Sequence, residues 1–443
     1  VITSVKDRTF ESRFAATLFN RFTSLHHLMF LARSSPLILL SILLTASSCP
    51  AVGEAPAAPP PPPVAFIDTS FENASPLWYE FTEDGTVMVN LLYDHERDSP
   101  NRAAGHFHFR IQAEKGKKLT LEFKNLDNVW NGKSGSVAKE IKQVVVSQDG
   151  KTWTPVPTQS PEEGRVRVTV EMPDTSLFVA RAEPYRVSDL NRFMSEIKTN
   201  SLVKISAIGK TVQGRDIEII RVGNDDAPNH IFIRARAHPW EPVGNWVTEG
   251  LVRRLLKSDA EAKQFLARYN VCILPMANKD GVERGGTRFN SQGWDLNRKW
   301  DQPADPNYSP ENAALEHWLE GEIKAGRRPS FAMDLHNDGN GMLHISRPDI
   351  PDIEKYLARM AHFEQCLRDH TWFTVGSTKP TFHNPGTLGE GWFQRFGIDA
   401  VILEFNCNYI EGIKEPALGR HWLTFGEGLA KTFDAYFAKV GKK

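Results

Sequence analysis

In the segment HPWEPVGNW, His238 and Glu241 stand three positions apart, a spacing that sets two side chains on one side of a helical turn. An imidazole and a carboxylate so placed can share one metal ion. Two histidines, one glutamate and an open water position form a catalytic zinc set. The third ligand would be a distant histidine at a strand end, and His336 in MDLHND fits that place. Alone, the H-x-x-E spacing is a weak signal, because chance produces it often. Its weight rises with its company. Four apolar runs finish in polar residues: RARAH at His238, PMAN at Asn278 and MDLH at His336, while ILEFN carries Glu404. Ligands of open α/β sheets bind beyond the carboxyl ends of the strands, so four distant segments read as one site.

A further segment follows the run VCILPMAN: NKDGVERGGTRFNSQGWDLNRKW. Arg288 and Arg298 offer planar forks suited to a carboxylate or a developing oxyanion, and Asn297 adds an amide donor. Leu296 and Trp300 flank the Asn297-Arg298 pair, which points to a half-buried loop with directed side chains rather than a solvated basic one. Asn337 and Asp338 either touch a substrate or cap the turn after His336. His344, His362, His383 and His421 are read as surface or packed histidines. No G-x-S-x-G nucleophile motif competes with a metal reading.

The elements that must position these groups fall into two regions. Over residues 66–182 the runs VMVNLLY, HFHFRIQA, KLTLEFKNL, KQVVVS and RVRVTVEM are short, often alternating, and separated by EDG, EKGKK and SQDGKTW. That is the pattern of an all-β sandwich. Trp78, Trp130 and Trp153 could bind a partner there, but buried core aromatics are the commoner use. Over residues 183–443 strands alternate with helices. YRVSDLNRFMSEI reads as a helix capped by Ser188, NWVTEGLVRRLL and the final HWLTFGEGLAKTFDAYFAKV are also helical, and HIFIRARAH, NVCILPMAN, SFAMDLHN and DAVILEFN read as strands covered on both faces. The expected class is α/β, with a mixed, mostly parallel sheet flanked by helices.

These pieces carry a resemblance. PYRVSDL, ARAHPWEP, PMANKDGV…TR…DLNRKW, MDLHND and ILEFN, in that order, resemble the M14 zinc metallocarboxypeptidases. The likeness is greatest to the cytosolic-carboxypeptidase-like branch, which carries a β-sandwich before its catalytic domain. The resemblance implies one zinc ion held by His238, Glu241 and His336. It implies that Arg288 polarises the scissile carbonyl and stabilises the oxyanion, that Asn297 and Arg298 clamp the substrate's free C-terminal carboxylate, and that Glu404 is the general base. The sequence departs from the family in three places. Trp240 stands where Gly is usual between His-Pro and Glu. TFHNPGTLGEGW offers Phe382 and His383 but no Tyr. Leu388-Gly389 occupies the stretch where relatives that remove glutamate have a basic residue, and Lys379 and Arg395 are read as facing solvent.

Composition bounds the rest. The chain has 443 residues, 53 basic and 54 acidic, for a net charge of −1, which gives no electrostatic case for nucleic acid as partner. Four cysteines exclude a disulfide-dense scaffold. Residues 1–49 read as a targeting segment: from Met29, the first Met, Arg33 precedes an apolar stretch too short to span a bilayer, then Ala46-Ser47-Ser48 and Cys49. The expected start site is left open between Val1 and Met29. The expectation is export, with either a lipid anchor at Cys49 or plain cleavage nearby. Residues 50–65 form a Pro-rich linker. Of the later cysteines, Cys272 in VCILPM reads as a buried small hydrophobe. The leading expectation is a zinc carboxypeptidase acting on peptide or protein C-termini. A zinc deacylase or amidase on the same scaffold and an inactive binding protein are the alternatives.

Overall fold

A strand of alternating character buries one face, and Val166–Glu171 shows it: its three valines are buried and the residues between them are not. In the computed structural model, which describes residues 62–440 apart from 98, 100, 347–349 and 379–385, such strands build two facing sheets. One holds five antiparallel strands in the order Phe66–Asp68, His108–Gln112, Ser176–Ala180, Gln143–Ser147, Thr154–Pro157. The other runs Val166–Glu171, Lys118–Lys124, Val87–Leu91, Leu77–Phe81. Its pair Val87–Leu91 and Lys118–Lys124 is parallel. One apolar core between the sheets joins Val87, Val89, Leu121 and Phe123 to Phe109, Ile111, Val144 and Val179. The expected hairpin SQDGKTWTPV forms. Asp149 accepts the N–H groups of Lys151 and Thr152 inside it, and Gly150 takes the positive φ of 67° that the turn needs. Trp153 is buried, Trp78 is half exposed, and Trp130 is used elsewhere.

The second sheet has seven strands, in the order Val203–Lys210, Asp216–Val222, Tyr269–Leu274, Asn229–Ala235, Phe331–Asp338, Asp399–Asn406, Leu343–His344. The central four are parallel and the outer pairings antiparallel. The α/β class with a sandwich ahead of it is therefore as expected. Period-two alternation sorts the central strands between two cores. Ile231, Ile233, Met333 and Leu403 meet helices Val187–Ile197, Val243–Leu255, Ile353–His370 and Gly419–Val440. Phe232, Ala332 and Ala400 meet Pro310–Lys324 and Leu388–Phe396 on the other face. Helices Val243–Leu255 and Gly419–Val440 cross at backbone contact. A Cβ on Gly250 would lie 2.0 Å from the Leu423 carbonyl oxygen, and one on Gly426 2.0 Å from that of Val247.

Local expectations needed two corrections. The first helix starts at Val187 with Arg186 as its cap residue, not Ser188. Asp189 accepts the Arg186 N–H at 2.9 Å and its guanidinium as well, closing a capping box. Arg395 does not face solvent; it pairs with Glu316 and donates to the Trp300 and Gln302 carbonyls. At the start of strand Asp399–Asn406, the fully buried Asp399 carboxylate is gripped by Arg359 at 2.7 and 2.9 Å. Cys272, Cys366 and Cys407 are buried free thiols. No helix among the described residues is long and apolar enough to cross a membrane. The targeting segment with Met29 and Cys49, most of the Pro-rich linker, and Lys379, Phe382 and His383 lie outside the described residues.

Candidate metal centre and active site

Strand Asn229–Ala235 ends in a sharp reversal. Arg236 adopts a φ of 62°, unusual for a bulky residue. Its buried guanidinium secures the reversal by donating to the Pro239 carbonyl at 2.7 Å and to Asn245 at 3.0 Å. The Glu241 N–H then bonds the His238 carbonyl at 3.3 Å. His238 and Glu241 thus share one turn ahead of the helix, which begins only at Val243, rather than its first turn. His336 comes from the adjacent strand Phe331–Asp338.

These three side chains converge. His238 Nδ1 is 2.9 Å from Glu241 Oε1, His336 Nδ1 is 2.7 Å from Glu241 Oε2, and the two Nδ1 atoms are 3.2 Å apart. All three residues are buried, and they are the one group of possible metal ligands among the described residues. Ligands about 2.0–2.1 Å from a tetrahedral ion stand roughly 3.3 Å from one another, so this spacing fits zinc. The chemistry of the donors fits too: two imidazole nitrogens and a carboxylate turned on one another in a dry interior call for a cation.

The outer nitrogens are held by carboxylates. His238 Nε2 lies 3.1 Å from Asp295 and His336 Nε2 2.8 Å from Asp334. Such pairs fix the Nε2–H tautomer and leave Nδ1 bare for a metal. Burial works against the charge on Asp334, but Arg234 and His336 outweigh it and hold the carboxyl well below the usual range. Arg234, fully buried, donates twice to Asp334 and also to the Leu296 carbonyl and Asn297 Oδ1. Burial likewise opposes charge on Asp295, and Arg288, Arg298 and His238 hold it well below the usual range.

Arg288 is buried and pairs with Asp295 at 2.7 and 2.8 Å. The sandwich fixes it from the other side. Asp94 accepts the backbone N–H groups of Thr287, Arg288 and Phe289. The ring of Trp130, at the tip of a hairpin turned by Asn131 and Gly132, lies 4.9 Å from the Arg288 guanidinium carbon. Arg298 is half-buried and lines a cavity of about 340 Å³ with Trp294 and Gln302. Burial pulls its pKa below the ordinary value, and neighbouring Arg288 adds to the drop. Asn297 Oδ1 accepts from Arg234 and the Leu388 N–H, and its Nδ2 is 3.1 Å from His336 Nε2. Since that nitrogen gives its proton to Asp334, the Nδ2 approach is a contact and its hydrogens are not consumed there.

Glu404 is the register neighbour of His336 on strand Asp399–Asn406. Its Oε2 is buried and has no hydrogen-bond partner among the described residues. Burial pushes its carboxyl well above the ordinary range; Asp338, Glu241 and Asp334 add to the rise and His336 opposes it. Asn337 and Asp338 serve the backbone: Asn337 accepts the Val243 N–H, and Asp338 the N–H groups of Asn340 and Gly341. His421 lies 2.9 Å from Glu415 and His362 stands beside Cys366.

Sequence reasoning missed Asp295, Asp334, Arg234 and Asp94. A signal existed for Asp334, which shares a strand face with His336 at i, i+2. None existed for Asp94, which is distant in sequence and lies in the loop after the sandwich strand Val87–Leu91.

Comparison with known proteins points the same way. Residues 190–330 match a family described as zinc carboxypeptidase, and residues 68–181 one described as cytosolic carboxypeptidase N-terminal domain. An uncharacterized protein of Zymomonas mobilis is 26% identical over 62% of this chain and 68% of its own. Cytosolic carboxypeptidase 1 of Gallus gallus is 28% identical over 38% of this chain, but the match spans only 15% of that protein. A metallo-carboxypeptidase from Pseudomonas aeruginosa, solved with (2-guanidinoethylmercapto)succinic acid, shares the fold at a TM-score of 0.73 and 22% identity, covering 84% of this chain and 99% of that one.

Proposed function

Since the chain belongs to the M14 family of zinc carboxypeptidases, we propose that it hydrolyses the terminal peptide bond of peptides or proteins bearing a free C-terminal carboxylate. The observation that carries this is the convergence of His238, Glu241 and His336 beside the unpartnered carboxylate oxygen of Glu404. The three ligands would hold one zinc ion. When bound, zinc supplies a Lewis acid that polarises a carbonyl and lowers the pKa of a water towards 7. Glu404 takes the proton of the attacking water on its free oxygen and delivers it to the leaving amine, a task suited to a carboxyl with a raised pKa. Arg288, held rigid by Asp295, Asp94 and Trp130, offers its guanidinium to the carbonyl oxygen as negative charge builds. Arg298 and the Asn297 amide receive the substrate's carboxylate, which confines cleavage to chain ends.

The test compares hydrolysis of acylated dipeptides with a free C-terminus against their C-terminal amides, with and without a zinc chelator. Chelator-sensitive hydrolysis of the free acids alone is expected. Equal rates on acid and amide would refute the assignment. We further propose that the protein is exported, from the signal-like order around residues 29–49; fractionation that finds it in the cytoplasm with that segment intact would refute this.

A further inference from the structure

Trp240 separates Pro239 from the ligand Glu241, yet its side chain belongs to the sandwich. The indole is 8% exposed and packs into the core between the two β-sheets, not into either core of the seven-stranded sheet. The Arg181 guanidinium carbon stacks 4.1 Å from its ring centroid. Gly105 of the sandwich leaves room for it: a Cβ there would come within 2.9 Å of the indole and 2.8 Å of Val137. The Trp240 N–H of the backbone bonds the Thr287 carbonyl at 3.2 Å, in the segment carrying Arg288. The indole Nε1–H reaches the other way and donates to Glu241 Oε1 at 3.0 Å.

That last bond differs from the others Glu241 makes. Its remaining side-chain neighbours are His238 Nδ1 and His336 Nδ1. Both nitrogens must be bare to bind a metal, so neither donates to the carboxylate once the ion is present. Among the described residues, Trp240 is then the hydrogen-bond donor left to Glu241. A glutamate has several rotatable bonds, and a single donor decides which oxygen faces the ion.

We infer that Trp240 is a positioning residue through which the β-sandwich orients the metal ligand Glu241, so that zinc affinity depends on how the indole is seated between the sheets. This rests on the reading that His238, Glu241 and His336 hold zinc. The experiment measures zinc affinity of the full chain by competition with a chromophoric chelator, alongside thermal melting of the metal-free protein. Trp240→Phe keeps a ring in the sandwich and removes the N–H. It is expected to weaken zinc binding about 10–100-fold, the usual cost of losing a ligand's outer partner, while the metal-free melting temperature changes little. Gly105→Ala, a change confined to the sandwich, pushes on the indole and is expected to weaken zinc binding in the same direction. It carries the test should Trp240→Phe fail to fold. Wild-type zinc affinity in the folded variant overturns the inference. A wild-type protein that takes up no zinc overturns the metal reading itself and the inference with it.

Discussion

The two regions bury polar groups in opposite ways. Inside the sandwich the half-buried His106 and the buried His108 are held towards the neutral form. His106 and His108 are both pushed down to about 3 by burial; Arg236 and Arg181 add to this for His106 against the hydrogen bond to the Asn73 carbonyl, and His106 and Arg186 add to it for His108 against Asp189. Its buried carboxylates are met at the rim by arginines that reach solvent, Glu122 by Arg165 and Arg167 and Asp68 by Arg110. At the carboxyl ends of the α/β strands the reverse holds: Arg234, Asp334, His336, Asp295 and Arg288 are all buried and mutually paired. A buried charge costs several kcal/mol unless its partners are well placed. Much of that cost falls where a metal would need fixed charges around it, whereas the sandwich meets its buried carboxylates with arginines that reach solvent.

Glu404→Gln should break the reactive end of this contrast, lowering turnover about 10²–10⁴-fold while zinc content by metal analysis stays at one ion. Arg234→Ala leaves the buried Asp334 without its counter-charge and with only His336 as partner, with an expected loss of about 3–5 kcal/mol in denaturant unfolding. Arg167→Ala, its rim counterpart, should cost under about 1 kcal/mol by the same measurement; similar losses for the two would erase the distinction between regions. The neutral histidines give a pH signature. Their folded pKa values lie below the unfolded value, so their contribution is complete above about 6.5 and is lost as the pH falls from there towards 3. Melting temperature should drop over that window, and His108→Gln should flatten the drop. Smallest of all, Trp130→Ala removes a contact worth about 0.5–1 kcal/mol. It should lower kcat about two- to five-fold with KM nearly unchanged, and Trp130→Phe should restore most of it.

The convergence of His238, His336 and Glu404 was legible because each stands at or near the end of a strand-like run, a placement that packing alone does not explain, and Glu241 because it lies three positions after His238. Their supports were not. Arg234 faces Asp334 only because the two parallel strands pair in one register, and neither strand's own residues state that register. The reading of tryptophans as core held for Trp153, missed the half-exposed Trp78, and missed that Trp130 lies against Arg288. Ser188 has the right side chain for a cap, but Arg186 and Asp189 close the box one turn boundary earlier. Arg395 looked solvent-facing because Glu316, its partner, is distant in sequence.

Asp399 and Glu404 lie at opposite ends of one strand, roughly 17 Å apart at the usual rise. Sliding that strand by a single position would turn the glutamate away from His336 and into the hydrocarbon interior. The clasp of Arg359 on Asp399 therefore acts as an indexing pin, helping from the far edge of the sheet to set which way Glu404 looks.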